Sequence, residues 1–188
     1  MIDASARVQS VDVSVVRSVP KAATAVGYAV ATKGSVPRQI GMNRGALSAN
    51  GFHGKAGQTL AVPSNDGLVV AVGLGDADAV DAKVLRNAAA AFVRVASSHA
   101  HVALNLADVD GFDARDAAQA VTEGALLGSY TYVGLKNADD AGSDLESVAL
   151  VVGATRAKAA EKGADAGAAI AGAAALAREL ANTPPTYL

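Results

Sequence analysis

Cysteine and tryptophan are absent from this chain of 188 residues, and aromatic residues make up only 4% of it. Without cysteine there is no disulfide, no thiolate metal ligand and no thiol nucleophile, a composition that fits a reducing cytoplasm. With so few aromatics, the core has to be assembled from Val, Leu and closely packed small side chains, and Ala alone contributes 45 residues. Long apolar runs are missing too, so no segment is expected to span a bilayer. The opening "MIDASARVQSVDV" carries charges and lacks the apolar centre of a secretory signal. A strong net charge is also missing, since the total is −2. That argues against a polyanion binder and against an acidic disordered tail. The expectation is a soluble cytoplasmic domain with a core of ordinary size.

What charge there is lies unevenly. Residues 1–59 carry seven Lys/Arg against two Asp, a balance of +5, and the remainder balances at −7. Phosphate binding needs clustered cations. Here they are scattered, and only Tyr28 and Phe52 are available for stacking on bases. A solvated face or a subunit interface is the stronger reading, and nucleic acid is not an expected partner.

Alternation of Val11, Val13 and Val15 with polar residues predicts a half-buried strand, and "AVGYAVA" (25–31) a second. An irregular basic stretch follows, with one short helix around Arg44–Ala49. "QTLAV" (58–62) and "LVVAV" (68–72) flank a turn sequence and read as a hairpin. Asp76 or Asp78 is the expected cap of a helix whose buried stripe is Val80, Val84, Ala88, Ala91 and Val95, widened by Leu85 and Phe92. A strand over 101–109 comes next, with Val102, Leu104 and Leu106 on one face. Asp113 should cap a helix with Ala117, Ala120, Val121, Gly124 and Leu127 on its inner face. "SVALVVG" (147–153) is a last apolar strand, and a helix over about 156–181 would extend roughly 39 Å. Strands alternating with helices, plus one hairpin, predict an α/β layered fold with a mixed sheet.

The chemistry-bearing motifs are few. Gly73-x-Gly75 stands where a dinucleotide fingerprint would begin, but the third position is Asp78, whose carboxylate opposes a pyrophosphate. A tight strand-to-helix turn explains the glycines better. "FHGKAGQ" lacks the spacing of a P-loop, and "DVDGFD" (108–113) lacks the closing Glu of a calcium loop. His99 and His101 share one strand face without a third ligand nearby, so a metal is not expected there. Glu123 is the only acid inside its helix beyond the first turn, and a solvated position serves it. Gly163-x-x-x-Gly167 makes a smooth ridge on the last helix against which another backbone can pack. No catalytic, cofactor-binding or metal-binding residue is expected in this chain.

Four stretches together resemble the N-terminal domain of leucyl (cytosol) aminopeptidases. They are "GFHGKAGQTLAVP" (51–63), "VVAVGLG" (69–75), "EGALLGSYTYVGLK" (123–136) and above all "ARELANTPPTYL" (177–188), which resembles that family's run into the catalytic domain. The resemblance implies a macro-domain-like α/β/α sandwich over 1–155. It also implies a long bridging helix and junction over 156–188, leading to a C-terminal catalytic domain not present here. Enzymes of that family are cytoplasmic homohexamers that remove N-terminal amino acids, often leucine, from peptides with two divalent metals, zinc or manganese. The catalytic and metal-binding run of the family does not occur in this sequence, so no site residue carries over. The implied role is non-catalytic, in subunit organisation, with the catalytic domain and sibling subunits as partners. This chain by itself is then expected to be inactive and cofactor-free, and the double proline reads as a cut through an interdomain junction. A macro-like module that binds ADP-ribose or DNA is the alternative, and a free-standing oligomerising scaffold a third. Residues Ile170, Ala173, Ala177 and Leu180 are expected to form an exposed apolar stripe.

Overall fold

The computed structural model describes residues 10–109, 111–132 and 144–184. Six strands form one sheet: β1 (Asp12–Val16), β2 (Ala25–Ala31), β3 (Thr59–Ser64), β4 (Gly67–Gly75), β5 (His101–Asn105) and β6 (Ser147–Val151). Their order is β1-β6-β5-β2-β4-β3. All neighbours run parallel except β3, which pairs antiparallel with β4 across a tight connection at Asn65–Asp66. Among the described residues four α-helices pack with the sheet: α1 (Arg44–Ala49), α2 (Ala82–Val95), α3 (Ala114–Ser129) and α4 (Ala157–Asn182). The expected α/β sandwich with a mixed sheet is the one observed.

The two faces of the sheet are covered unequally. α2, α3 and α4 lie together on one face, over Val70, Val72, Val102, Leu104, Val148 and Leu150, all essentially inaccessible. Phe92 from α2 fills the centre, and Gly27 of β2 makes room for it: a Cβ there would lie 2.8 Å from the Phe92 ring. On the other face, α1 and a short 3-10 turn at Arg38–Ile40 bury Ile40, Leu47 and Phe52 against Tyr28, Val30 and Ala71. The rest of that face is covered by the irregular crossover 17–24, whose Val19 and Ala23 pack on Ala103, Ala149 and Val151.

Small residues set the spacing in the three-helix layer. A Cβ at Gly124 of α3 would stand 2.1 Å from the Arg86 carbonyl oxygen of α2, and one at Gly128 2.8 Å from Ala90 Cα. On the other side of α3, a Cβ at Gly163 of α4 would stand 2.0 Å from the Arg115 carbonyl oxygen. Gly167 faces Gln119 and Thr122 in the same way. Backbone therefore packs on backbone at both helix pairs. The Gly163/Gly167 ridge is used within the domain.

Three local expectations are corrected. Asp81 caps α2, its Oδ1 accepting from Val84 N–H at 2.7 Å, whereas Asp76 caps a separate 3-10 turn at Ala77–Ala79. The buried face of α2 is Leu85, Ala88, Ala89, Phe92 and Val93, and Val95 is exposed. β5 ends at Asn105, although Leu106 and Ala107 continue into the core.

Candidate functional site

The stretch "GFHGKAGQ" becomes a loop folded around one amide side chain. Gln58 Oε1 accepts from the N–H groups of His53 (2.9 Å) and Lys55 (3.3 Å), and Gln58 Nε2 donates to the Gly51 carbonyl at 2.6 Å. This loop lies on the C-terminal ends of β2 and β4. Gly75 N–H donates to the Gly54 carbonyl, and Gly57 N–H to the Gly73 carbonyl. A Cβ on Gly73 would stand 2.0 Å from the Lys55 carbonyl oxygen, and one on Gly54 2.6 Å from that of Ala31. Gly73 and Gly75 thus belong to β4 itself and admit the chain's own backbone, where a strand-to-helix turn was expected.

The second assembly joins the ends of α3 and α4. Tyr130, just past α3, donates from its phenol to Glu179 Oε2 at 3.0 Å. Arg178 lies 5.9 Å from the centre of the Tyr130 ring, and its Nη1 donates to the Leu127 carbonyl, an open C=O at the end of α3. Thr183 closes α4 by donating both its N–H and its hydroxyl to the Glu179 carbonyl, at 3.0 and 2.7 Å. Glu179 is buried, with only 2% exposure. Burial pushes the Tyr130 phenol above its ordinary pKa, with the Glu179 carboxylate adding to the rise and the Asn182 side chain and Arg178 opposing it. Residues 133–136 and 185–188 of the corresponding sequence stretches lie outside the described residues.

Glu123, expected in solvent, is buried at 5% exposure. Its Oε2 accepts from Arg86 Nε at 2.7 Å and its Oε1 from Gln119 Nε2 at 2.9 Å. The helix period put this position on the outer face of α3 viewed from the sheet. That face is covered sideways by α2, which a single-helix pattern does not disclose. The two histidines diverge instead of sharing a ligand: His99 Nδ1 bonds Thr24 Oγ1 at 2.9 Å, and His101 Nδ1 bonds Ser147 Oγ at 3.0 Å. Asp113 caps α3 as expected, and Asp108 pairs with Arg156 at 3.0 Å while accepting from Gly153 N–H; Asp110 lies outside the described residues. One positive charge of the basic first third, Arg44, donates to the Thr32 and Gly34 carbonyls. Among the described residues no group of three or more His, Asp or Glu is placed to hold a metal ion. No described helix is long and apolar enough to cross a membrane.

The fold is a mixed-sheet α/β sandwich in which the described polar residues of the family-like stretches bond to loops and helix ends. The family follows from comparison. Residues 43–139 match the model of the cytosol aminopeptidase family, N-terminal domain, and the chain belongs to that family. It is 39% identical over 150 residues to a probable cytosol aminopeptidase of Rhodococcus opacus, covering 76% of this chain and 28% of that protein. A probable cytosol aminopeptidase of Corynebacterium diphtheriae is 34% identical over 146 residues, with the same coverage. The chain thus spans less than a third of the length of these relatives. Among solved structures, the bottromycin maturation enzyme BotP is 35% identical with a TM-score of 0.67, covering 86% of this chain and 33% of that one. A variant of tomato leucine aminopeptidase shares the fold at 19% identity and a TM-score of 0.80, covering 97% of this chain and 40% of that one.

Proposed function

We propose that the chain is a non-catalytic domain of a metal-dependent leucyl aminopeptidase, with residues 1–155 as its body and 156–188 as the helix and junction toward a C-terminal catalytic domain. The observation that carries this reading is where the polar residues go. The residues of the family-like stretches, Gln58, Glu123, Tyr130, Arg178 and Glu179, are engaged in holding loops and helices together. The donor set of the described residues does not fit a pair of divalent cations, so no catalytic step is assigned to it. One solved relative, BotP, is described in complex with Mn. Manganese or zinc bound by the catalytic domain is the corresponding proposal for the whole enzyme.

In that enzyme, peptide substrates would meet the catalytic domain, and this domain would serve the arrangement of subunits in a cytoplasmic homohexamer. The test is hydrolysis of leucine p-nitroanilide by the purified chain with Mn²⁺ or Zn²⁺. No turnover is expected. Metal-dependent turnover by these 188 residues would place chemistry in this domain and end the proposal.

A further inference from the structure

Asn50, just past the end of α1, is the one asparagine of the chain that a glycine follows. Glycine has no Cβ to screen its own nitrogen. Both residues are exposed, and nothing lies within 4 Å of where a Gly51 Cβ would stand. In water such a pair can close a ring on itself. The Gly51 nitrogen bonds to Asn50 Cγ, the Cγ–Nδ2 bond breaks, and the proton of the Gly51 N–H leaves with Nδ2 as ammonia. Water then opens the succinimide at either carbonyl. The product is aspartate or, with the main chain rerouted through Cβ and Cγ, isoaspartate. No cofactor takes part, so the rate depends on whether the nitrogen can reach Cγ.

The folded chain denies that reach through three hydrogen bonds. Gly51 N–H donates to the Ser48 carbonyl at 2.9 Å, and Asn50 Nδ2 donates to the Ala46 carbonyl at 2.9 Å. The Gly51 carbonyl accepts from Gln58 Nε2 at 2.6 Å. They hold Asn50 at φ −90° and ψ 16°, which turns the Gly51 nitrogen to the side of the Cα–C bond away from Cβ. Ring closure needs it on the side of Cβ. The required rotation breaks the last turn of α1 and pulls the Gly51 carbonyl off Gln58. We infer that Asn50–Gly51 is a latent deamidation site, locked while the end of α1 and the Gln58 loop are closed and freed by their local release. The reaction runs one way. A carboxylate at position 50 cannot donate to the Ala46 carbonyl and stands at the negative end of α1. Isoaspartate also lengthens the main chain beside the carbonyl that Gln58 holds. A molecule that has opened and reacted therefore stays loosened around the buried Phe52.

The test ages the whole chain in neutral buffer over a series of urea concentrations, with its fold followed by circular dichroism. Conversion is read by mass on the tryptic peptide 45–55, cut after Arg44 and Lys55, in which Asn50 is the sole asparagine. Isoaspartate is counted separately as methyl groups accepted from an isoaspartyl methyltransferase. Without urea, conversion should be at least about tenfold slower than in the unfolded chain. Below the unfolding transition the rate should vary little with urea, because release of one turn and one loop exposes little surface. Gln58→Ala, which frees the Gly51 carbonyl, should raise the rate without urea by about threefold or more while the spectrum stays native. Equal rates in the folded and unfolded chain overturn the lock, and no conversion in the unfolded chain removes the site. A rate that climbs in step with the unfolded fraction overturns the local release. So does a natively folded Gln58→Ala chain that ages at the parent's rate. Should that variant fail to fold, the urea series on the parent decides alone.

Discussion

Tyr130 and Glu179, 49 residues apart, meet through a 3.0 Å hydrogen bond that fastens the end of α3 to the end of α4. Each belongs to a stretch that resembles the same family, so two sequence motifs that look separate are two halves of one contact. An acceptor carboxylate at 2% exposure has little water to replace a lost partner.

Removing the phenol should therefore be felt. Tyr130→Phe is expected to cost about 1.5–3 kcal/mol, because the bond lost is to a charged group in a buried site. For a domain of this size that lowers Tm by roughly 3–12 °C in a calorimetric scan. Glu179→Gln keeps an acceptor and should cost less than Glu179→Ala. A double-mutant cycle on the pair should give a clearly non-zero coupling energy; additivity would mean that the bond contributes nothing.

Alkaline pH acts on the same place. Burial raises the pKa of both Tyr130 and Tyr28 above the ordinary 10.0. Raised folded-state values mean that the stabilisation is fully present below pH 10 and is lost as pH rises through the folded pKa values. Urea midpoints should fall from about pH 10 upward, and more steeply than in a Tyr28→Phe/Tyr130→Phe variant. Parallel curves for the two proteins would refute the linkage.

Glycine-to-alanine changes on α4 should split in sign. Helix propensity favours alanine by about 1 kcal/mol at every interior position. Gly172 has nothing within 4 Å of its would-be Cβ, so Gly172→Ala should stabilise. At Gly163 that Cβ would sit 2.0 Å from the Arg115 carbonyl oxygen, and Gly163→Ala should destabilise by forcing α3 and α4 apart. Equal effects of the two changes on Tm would show that the helices are not in backbone contact.

Arg86→Met tests the buried carboxylate. It leaves Glu123 with Gln119 as its one remaining partner among the bonds described, and should cost about 2 kcal/mol or more, moderated by the partial exposure of Arg86. Adding Glu123→Leu to Arg86→Met should recover much of the loss, read as the denaturation midpoint.

Where each element forms was legible because periodicity and caps are local. The predicted α1 coincides with Arg44–Ala49, Asp113 is the cap of α3, and the stripe at Ile170, Ala173, Ala177 and Leu180 is exposed as its spacing implies. What failed to show was lateral packing. Glu123 points between two helices, and Gly124 and Gly128 are small because α2 lies against them, facts set by residues nearly 40 positions away. The start of α2 is ambiguous in sequence: Asp76 and Asp78 look as good a cap as Asp81, and only the intervening 3-10 turn separates them. The Gln58 loop was invisible for a related reason, since a glutamine that organises a turn looks like any polar residue in sequence.

The unequal coverage of the sheet gives the domain a weak side. Opposite three packed helices, residues 17–24 reach the next strand without any regular structure, held at Thr24 by the His101 carbonyl and the His99 ring. Few of their amides belong to a cooperative ladder. Under mild denaturant this strap would peel first, baring Ala103, Ala149 and Val151 while the glycine-laced helices stay shut, so the order in which the molecule comes apart is already written in its asymmetry.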